Sequence, residues 1–146
     1  AGIPSGNKRP PKILLKLPFS GKIMNSFILK NALENFYKPE KYPEYLQLFK
    51  HQMQYKGYSN ALKSTFLNLP LDGFKKDFED VGNLDLPKLL FWGEKDVVVN
   101  YSTHKKVIAL MPGIEFRSIR DCGHVCVYEK PEIFIKYFVN FLQSIS

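Results

Sequence analysis

Two residues in the second half of the chain are of types that together move protons: Asp96, in the run GEKD, and His124, in the run DCGH. Imidazole is the side chain whose ordinary pKa lies closest to neutrality, and a carboxylate beside it fixes the ring tautomer and stabilises the charged form. Each residue follows a short stretch read as a strand, Asp96 four residues past Trp92 and His124 shortly after Ile119. Open parallel sheets hold ligands and catalysts just beyond the carboxyl ends of their strands. Asp96 and His124 are therefore the candidate pair, with Asp121, close to His124 in sequence, as another carboxylate that could orient the ring. His51 and His104 fall inside helical patterns among lysines and polar groups and are read as structural.

Cys122 and Cys126 flank the dipeptide Gly123-His124. Two thiols without a second ligand pair make neither a zinc site nor a disulfide scaffold, so both are expected to be free, in a reducing compartment. A catalytic cysteine would bring its own base on another element, which argues against Cys122 as a nucleophile. Glu129 and Glu132 are expected to serve the positive end of the last helix. Neither a metal nor an organic cofactor is implied.

The elements that must position these residues can be read from periodicity and breakers. Residues 1–22 carry Pro4, Pro10, Pro11 and Pro18 with Gly2, Gly6 and Gly21, which predicts an extended segment. NSFILKNALENFY, capped near Asn25 or Ser26 and ended by Pro39, predicts a helix through Phe27, Ile28, Ala32, Leu33 and Phe36. A second helix is expected from Pro43 to about Gly57, and a third over SNALKSTFLNL. The polar stretch LDGFKKDFEDVGNLDLP reads as a connection, and KLLFW, between Pro87 and Gly93, as a buried strand over residues 88–92. A helix from about Ser102 to Met111, a strand over residues 114–119 and an amphipathic terminal helix from Pro131 complete the chain. Strand, helix, strand, helix is the rhythm of a parallel sheet covered by helices, so the fold class is α/β with a helical block in front.

LPKLLFWGEKDVVV followed by MPGIEFRSIRDCGHVCVYEKPEIFIKYFVNFL resembles the ending of the α/β-hydrolase superfamily. The likeness lies in an apolar strand running into a Gly-x-x-Asp loop, and in a Gly-His loop ahead of a Glu-Lys-Pro-Glu helix start. AGIP at residues 1–4 is similar to the segment that follows the sixth strand of that family, and the helices after it would match the cap or lid. The resemblance implies three parts: 1–22 as the extended segment after the sixth strand, 23–80 as a helical cap, and 81–146 as the C-terminal part of the core. It also implies that Asp96 and His124 are the last two members of a Ser-His-Asp triad, whose chain order is Ser, Asp, His; Asp96 fits that pattern better than Asp121.

No G-x-S-x-G turn occurs in these residues, and the nearest serine motifs, PSG at Ser5 and YSN at Ser59, lack flanking glycines and a preceding strand. The expectation is a C-terminal fragment of a serine-type hydrolase acting on an ester or similar acyl bond of a small apolar substrate, inactive without a nucleophile-bearing N-terminal half. A haloalkane dehalogenase or epoxide hydrolase relative with an aspartate nucleophile is the alternative within the fold, and a noncatalytic binding protein the alternative outside enzymology. The aromatics Phe27, Phe36, Tyr45, Phe49 and Phe66 either line an apolar pocket or pack the cap helices against one another. Two strands make a poor sheet, so the missing half or a swapped copy of the chain is expected to cover the exposed edge and face.

A net charge of +7 and a pI near 9.3 raise the question of nucleic acid. The lysines are spread from Lys8 to Lys136 without a dense block, and arginine occurs only at positions 9, 117 and 120, so a solvated basic surface is expected instead. No run approaches the roughly 18 apolar residues of a membrane span, and the first residues lack the apolar stretch of a secretory signal. Reduced cysteines point to a cytoplasmic setting.

Overall fold

The computed structural model describes residues 12–17, 20–69 and 73–146. Four helices come first: α1 (Lys12–Leu15), α2 (Ser20–Asn31), α3 (Pro43–Gln52) and α4 (Tyr58–Asn68), with 3-10 turns at Ala32–Asn35 and Pro39–Lys41. Next come α5 (Lys75–Gly82), β1 (Leu89–Gly93), α6 (His104–Leu110), β2 (Glu115–Ile119), α7 (Cys126–Glu129) and α8 (Pro131–Ser144).

The sheet is the strand pair foreseen from KLLFW and IEFRSI. β1 and β2 run parallel, in register from Leu89 opposite Glu115 to Gly93 opposite Ile119. β1, LLFWG, is an apolar run, whereas β2, EFRSI, sets Phe116 and Ile119 among polar residues, and α6 returns the chain between them as a parallel pair requires. Ile119, Cys122 and Cys126 form the buried cluster beneath the carboxyl ends of the strands, with Phe91 and Phe134 packed against it. The rings of Phe91 and Phe134 stand 4.3 Å apart, so one aromatic pair ties β1 to α8.

In the front block α2 packs on α4. Met24 is fully buried, and Phe27 meets Phe66 edge-on at 6.4 Å. The chain then turns at Phe36, where stacking on Tyr42 at 4.6 Å and edge contacts to Tyr45 and Tyr128 join the front helices to α7.

Four expectations are corrected. Residues 12–15 are a helical turn rather than extended chain, with Leu15 fully buried, and α2 begins at Ser20, well before Asn25. Pro10 and Pro11 stand immediately ahead of α1, where a missing N–H costs a helix nothing. The stretch read as a connection holds α5, where Phe74 at the N-cap and Phe78 and Val81 within the helix follow helical spacing, while Lys76–Asp80 and Lys75–Glu79 pairs one turn apart supply local support. Pro43 opens α3 as foreseen, but the helix ends at Gln52 rather than near Gly57.

Among the described residues β1 is paired on one side alone. On α8, Ile133, Ile135, Phe138, Val139 and Leu142 are each 41–55% exposed. An unpaired parallel edge beside a broad apolar helix face recruits a cover. The 146-residue chain by itself is expected to sediment at micromolar concentration as a species heavier than 16.9 kDa; a stable monomer would contradict this.

Candidate functional site

The site is built where the loops leaving the two strands cross. After Gly93 the chain turns so that the Glu94 N–H donates to Ile119 O at 3.0 Å and the Lys95 N–H to Cys122 O at 2.9 Å. A Cβ at position 93 would stand 2.0 Å from Gly123 O and 2.4 Å from Cys122 O, so the crossing requires glycine there. Asp121, exposed and in the left-handed region at φ 50°, turns the second loop towards the first.

Asp96 lies inside this crossing and is 7% exposed. One carboxylate oxygen, Oδ1, accepts the backbone N–H groups of Val98 and Val99, both at 2.9 Å. That leaves Oδ2 for the His124 ring, whose Nδ1 is 2.9 Å away. A carboxylate only accepts, so Nδ1 carries the proton and Nε2 is the nitrogen able to take one up. The His124 side chain remains 40% exposed, which keeps the ring within reach of a reactant.

The electrostatics follow from this geometry. The hydrogen bond to Asp96 pushes His124 above its ordinary pKa of 6.5, burial opposes the shift, and attraction by the Asp96 charge adds to it. A group raised in the folded state stabilises that state while protonated. The contribution is therefore complete below the ordinary value and disappears as pH rises through the raised one.

The structure thus brings together the two residues singled out from sequence and leaves the others elsewhere. Asp121 is an exposed turn residue and takes no part in that bond. His104 is buried on α6, its ring bonded to Tyr101 O and stacked 4.6 Å from Phe116. His51 is exposed and meets the edge of Tyr55. The Ser59 hydroxyl donates to Asn25 Oδ1 at 2.7 Å, and Ser5 and AGIP lie outside the described residues. Both cysteines are free and buried. A hydrogen bond with Cys126, reinforced by burial, pushes the Cys122 thiol upward, whereas the same bond lowers Cys126.

Sequence reading mistook Glu129. It does not serve the start of α8; it is 8% exposed and turns back into the loop, accepting the Gly123 N–H at 2.7 Å and the Tyr37 N–H at 3.0 Å. A buried carboxylate in the sequence CVYEKP gives no local sign of such a target.

Beside the pair lies an open cavity of about 470 Å³ lined by Phe91, His124, Val125, Cys126, Val127 and Phe134. A smaller one of about 170 Å³ touches Asp96, Trp92, Val99 and His124. The five front-block aromatics line neither; they pack on each other and on Tyr128. Among the described residues no group of three or more His, Cys, Asp or Glu is arranged to hold a metal ion, and no helix is long and apolar enough to cross a membrane.

Comparison with known proteins gives the same frame. No protein-family model matches the chain. Over 76 residues it is 32% identical to the 2-hydroxy-6-oxononadienedioate/2-hydroxy-6-oxononatrienedioate hydrolase of Klebsiella pneumoniae subsp. pneumoniae, a match spanning 49% of this chain and 26% of that protein. Among solved structures it is similar to the 2-hydroxy-6-oxo-6-phenylhexa-2,4-dienoate hydrolase of a Rhodococcus species, at TM-score 0.71 and 17% identity over 96% of this chain and 51% of the other. It is also similar to a haloalkane dehalogenase from Agrobacterium tumefaciens, at TM-score 0.70 and 20% identity over 92% of this chain and 50% of the other. The chain therefore spans about half the length of the solved structures it matches, and the fold is the corresponding part of theirs.

By NMR, the His124 ring is expected to titrate above 6.5 in the native protein and lower in Asp96→Asn, which loses the acceptor charge. An unchanged midpoint would mean that the 2.9 Å contact does not set the ring's protonation.

Proposed function

We propose, from the premise that this chain is related to the α/β-hydrolase superfamily and carries part of its fold, that Asp96 and His124 are the acid and base of a serine-type hydrolase. The whole enzyme would cleave an ester or similar acyl bond of a small apolar substrate. The observation that carries this reading is the Asp96 carboxylate, held at Oδ1 by two backbone amides and aimed through Oδ2 at His124 Nδ1. That arrangement leaves Nε2 as the proton acceptor, which is what a seryl hydroxyl needs before it can attack.

In the proposed reaction a serine outside these residues gives its proton to His124 Nε2 as its oxygen bonds to the substrate acyl carbon. The ring returns that proton to the departing alcohol as the acyl–oxygen bond breaks, and water releases the acyl group by the same relay. The nucleophile turn and the oxyanion donors belong to the part of the fold that this sequence does not span. Residues 23–80 are read as the cap, 81–146 as the C-terminal part of the core and 1–22 as the segment leading into the cap. The apolar lining contributed by Phe91, Val125, Val127 and Phe134 favours a hydrocarbon-rich substrate over a charged one. Neither nucleic acid nor a cofactor enters this reading, and the two free thiols favour the cytoplasm.

Similarity to a haloalkane dehalogenase favours one second reading, in which the same acid and base serve an aspartate nucleophile and the covalent intermediate is an alkyl ester. Both readings are tested in the full-length protein with a fluorophosphonate probe and p-nitrophenyl butyrate. The serine reading expects labelling of one serine, lost in His124→Ala, and a kcat lower by about 10³- to 10⁴-fold in Asp96→Asn. Absence of labelling with retained hydrolysis of a haloalkane would replace serine by aspartate, and full ester turnover in His124→Ala would remove the reading altogether.

A further inference from the structure

Glu129 is a carboxylate that the proposed chemistry does not use, yet it is nine-tenths buried at the centre of the histidine loop. Its Oε1 accepts the N–H of Gly123, the residue immediately before His124, at 2.7 Å, and lies 3.8 Å from the Cys122 thiol. Its Oε2 accepts the N–H of Tyr37 at 3.0 Å, 92 residues away in the chain. Beside these bonds the His124 N–H donates to Asn35 O at 2.8 Å, and the Tyr42 hydroxyl donates to Glu129 O at 3.3 Å. Space is fully used: a Cβ on Gly123 would come within 2.8 Å of Tyr37 N, Asn35 O and Glu129 Oε1.

We infer that Glu129 is a positioning residue that locks the His124 loop to the turn at residues 35–37, so that one carboxylate sets both the aim of the imidazole at Asp96 and the seat of the front helices. The physical case is one of satisfaction. The two N–H groups belong to crowded segments and need acceptors, and a carboxylate meets both at once with bonds roughly twice as strong as those to a neutral acceptor. Removing it leaves two donors without partners on either side of the same hinge. The loop would then relax at Gly123, which has no side chain to hold it, and the ring one residue on would swing from Oδ2 of Asp96. Misplacement by about an ångström is enough to cost about 100-fold in rate.

In describing Asp96 and His124 as a proton relay this inference rests on the hydrolase reading, although the lock itself does not. The test compares Glu129→Gln and Glu129→Ala with Met24→Ala, a core truncation in α2, in the full-length protein. The probes are solvent exchange of the His124 Nδ1 proton by NMR and turnover of p-nitrophenyl butyrate. Glu129→Gln, which keeps the shape and one oxygen acceptor, should speed Nδ1 exchange about tenfold, the size of one charge-assisted hydrogen bond. It should lower kcat with little change in KM; Glu129→Ala should do more of both. Met24→Ala should reduce thermal stability without altering exchange of that proton. If Glu129→Ala does not fold, Glu129→Gln decides alone. Unchanged Nδ1 exchange in Glu129→Gln, or equal acceleration in Met24→Ala, overturns the lock. Accelerated exchange in a protein whose native form turns over no ester upholds the lock and removes the serine-type ester reading instead.

Discussion

Everything in this half-fold is arranged around one hydrogen bond, from His124 Nδ1 to Asp96 Oδ2 at 2.9 Å, between residues 28 positions apart. Burying a carboxylate is costly unless its lone pairs are satisfied. Asp96 meets that demand with donors from its own turn on one side and the ring on the other. The two functions of the group are inseparable. Amides that offset its desolvation also remove its freedom to rotate, so the oxygen facing His124 stays there.

The bond in turn depends on a parallel register. Because Gly93 lies opposite Ile119, the two strands release their loops at the same level, and the loops can cross within backbone hydrogen-bonding distance. A slip of the register would carry Asp96 and His124 apart along the strand axis, about 3.3 Å for each residue. The Phe91–Phe134 contact and the buried Ile119 resist such a slip by tying each strand to the layer below. Packing thus acts on the Asp96–His124 bond through register.

How much of this was legible in the sequence depends on how local the cause was. KLLFW between a proline and a glycine, and Pro131 ahead of an aromatic stripe, are local signals, and β1 and α8 lie where they indicate. Asp96 and His124 could be singled out because each sits just beyond such a strand. α5 was hidden because its apolar face is only Phe74, Phe78 and Val81 among charged residues, which resembles a polar connection until the pairing of Lys76 with Asp80 is seen. Gly21 concealed the true start of α2, since a breaker is tolerated within a first turn. Glu129 was beyond local reading altogether. Its partners are Gly123 and Tyr37, and only folding makes neighbours of them.

The contact between the front helices and the histidine loop is mostly backbone and aromatic. Asn35 and Tyr37 engage the loop through main-chain groups, while Phe36, between them, enters the cluster of Tyr42, Tyr45 and Tyr128. Main-chain bonds constrain where the turn can sit without dictating what the surrounding side chains must be, so the helices beyond it can vary in sequence while the seat remains. A fold organised this way separates two demands that would otherwise compete. The groups that hold the imidazole are the loops at the strand ends, the buried Glu129 and the main chain of one turn. The cavity beside His124 is lined by β1, the histidine loop and α8 rather than by the helices in front.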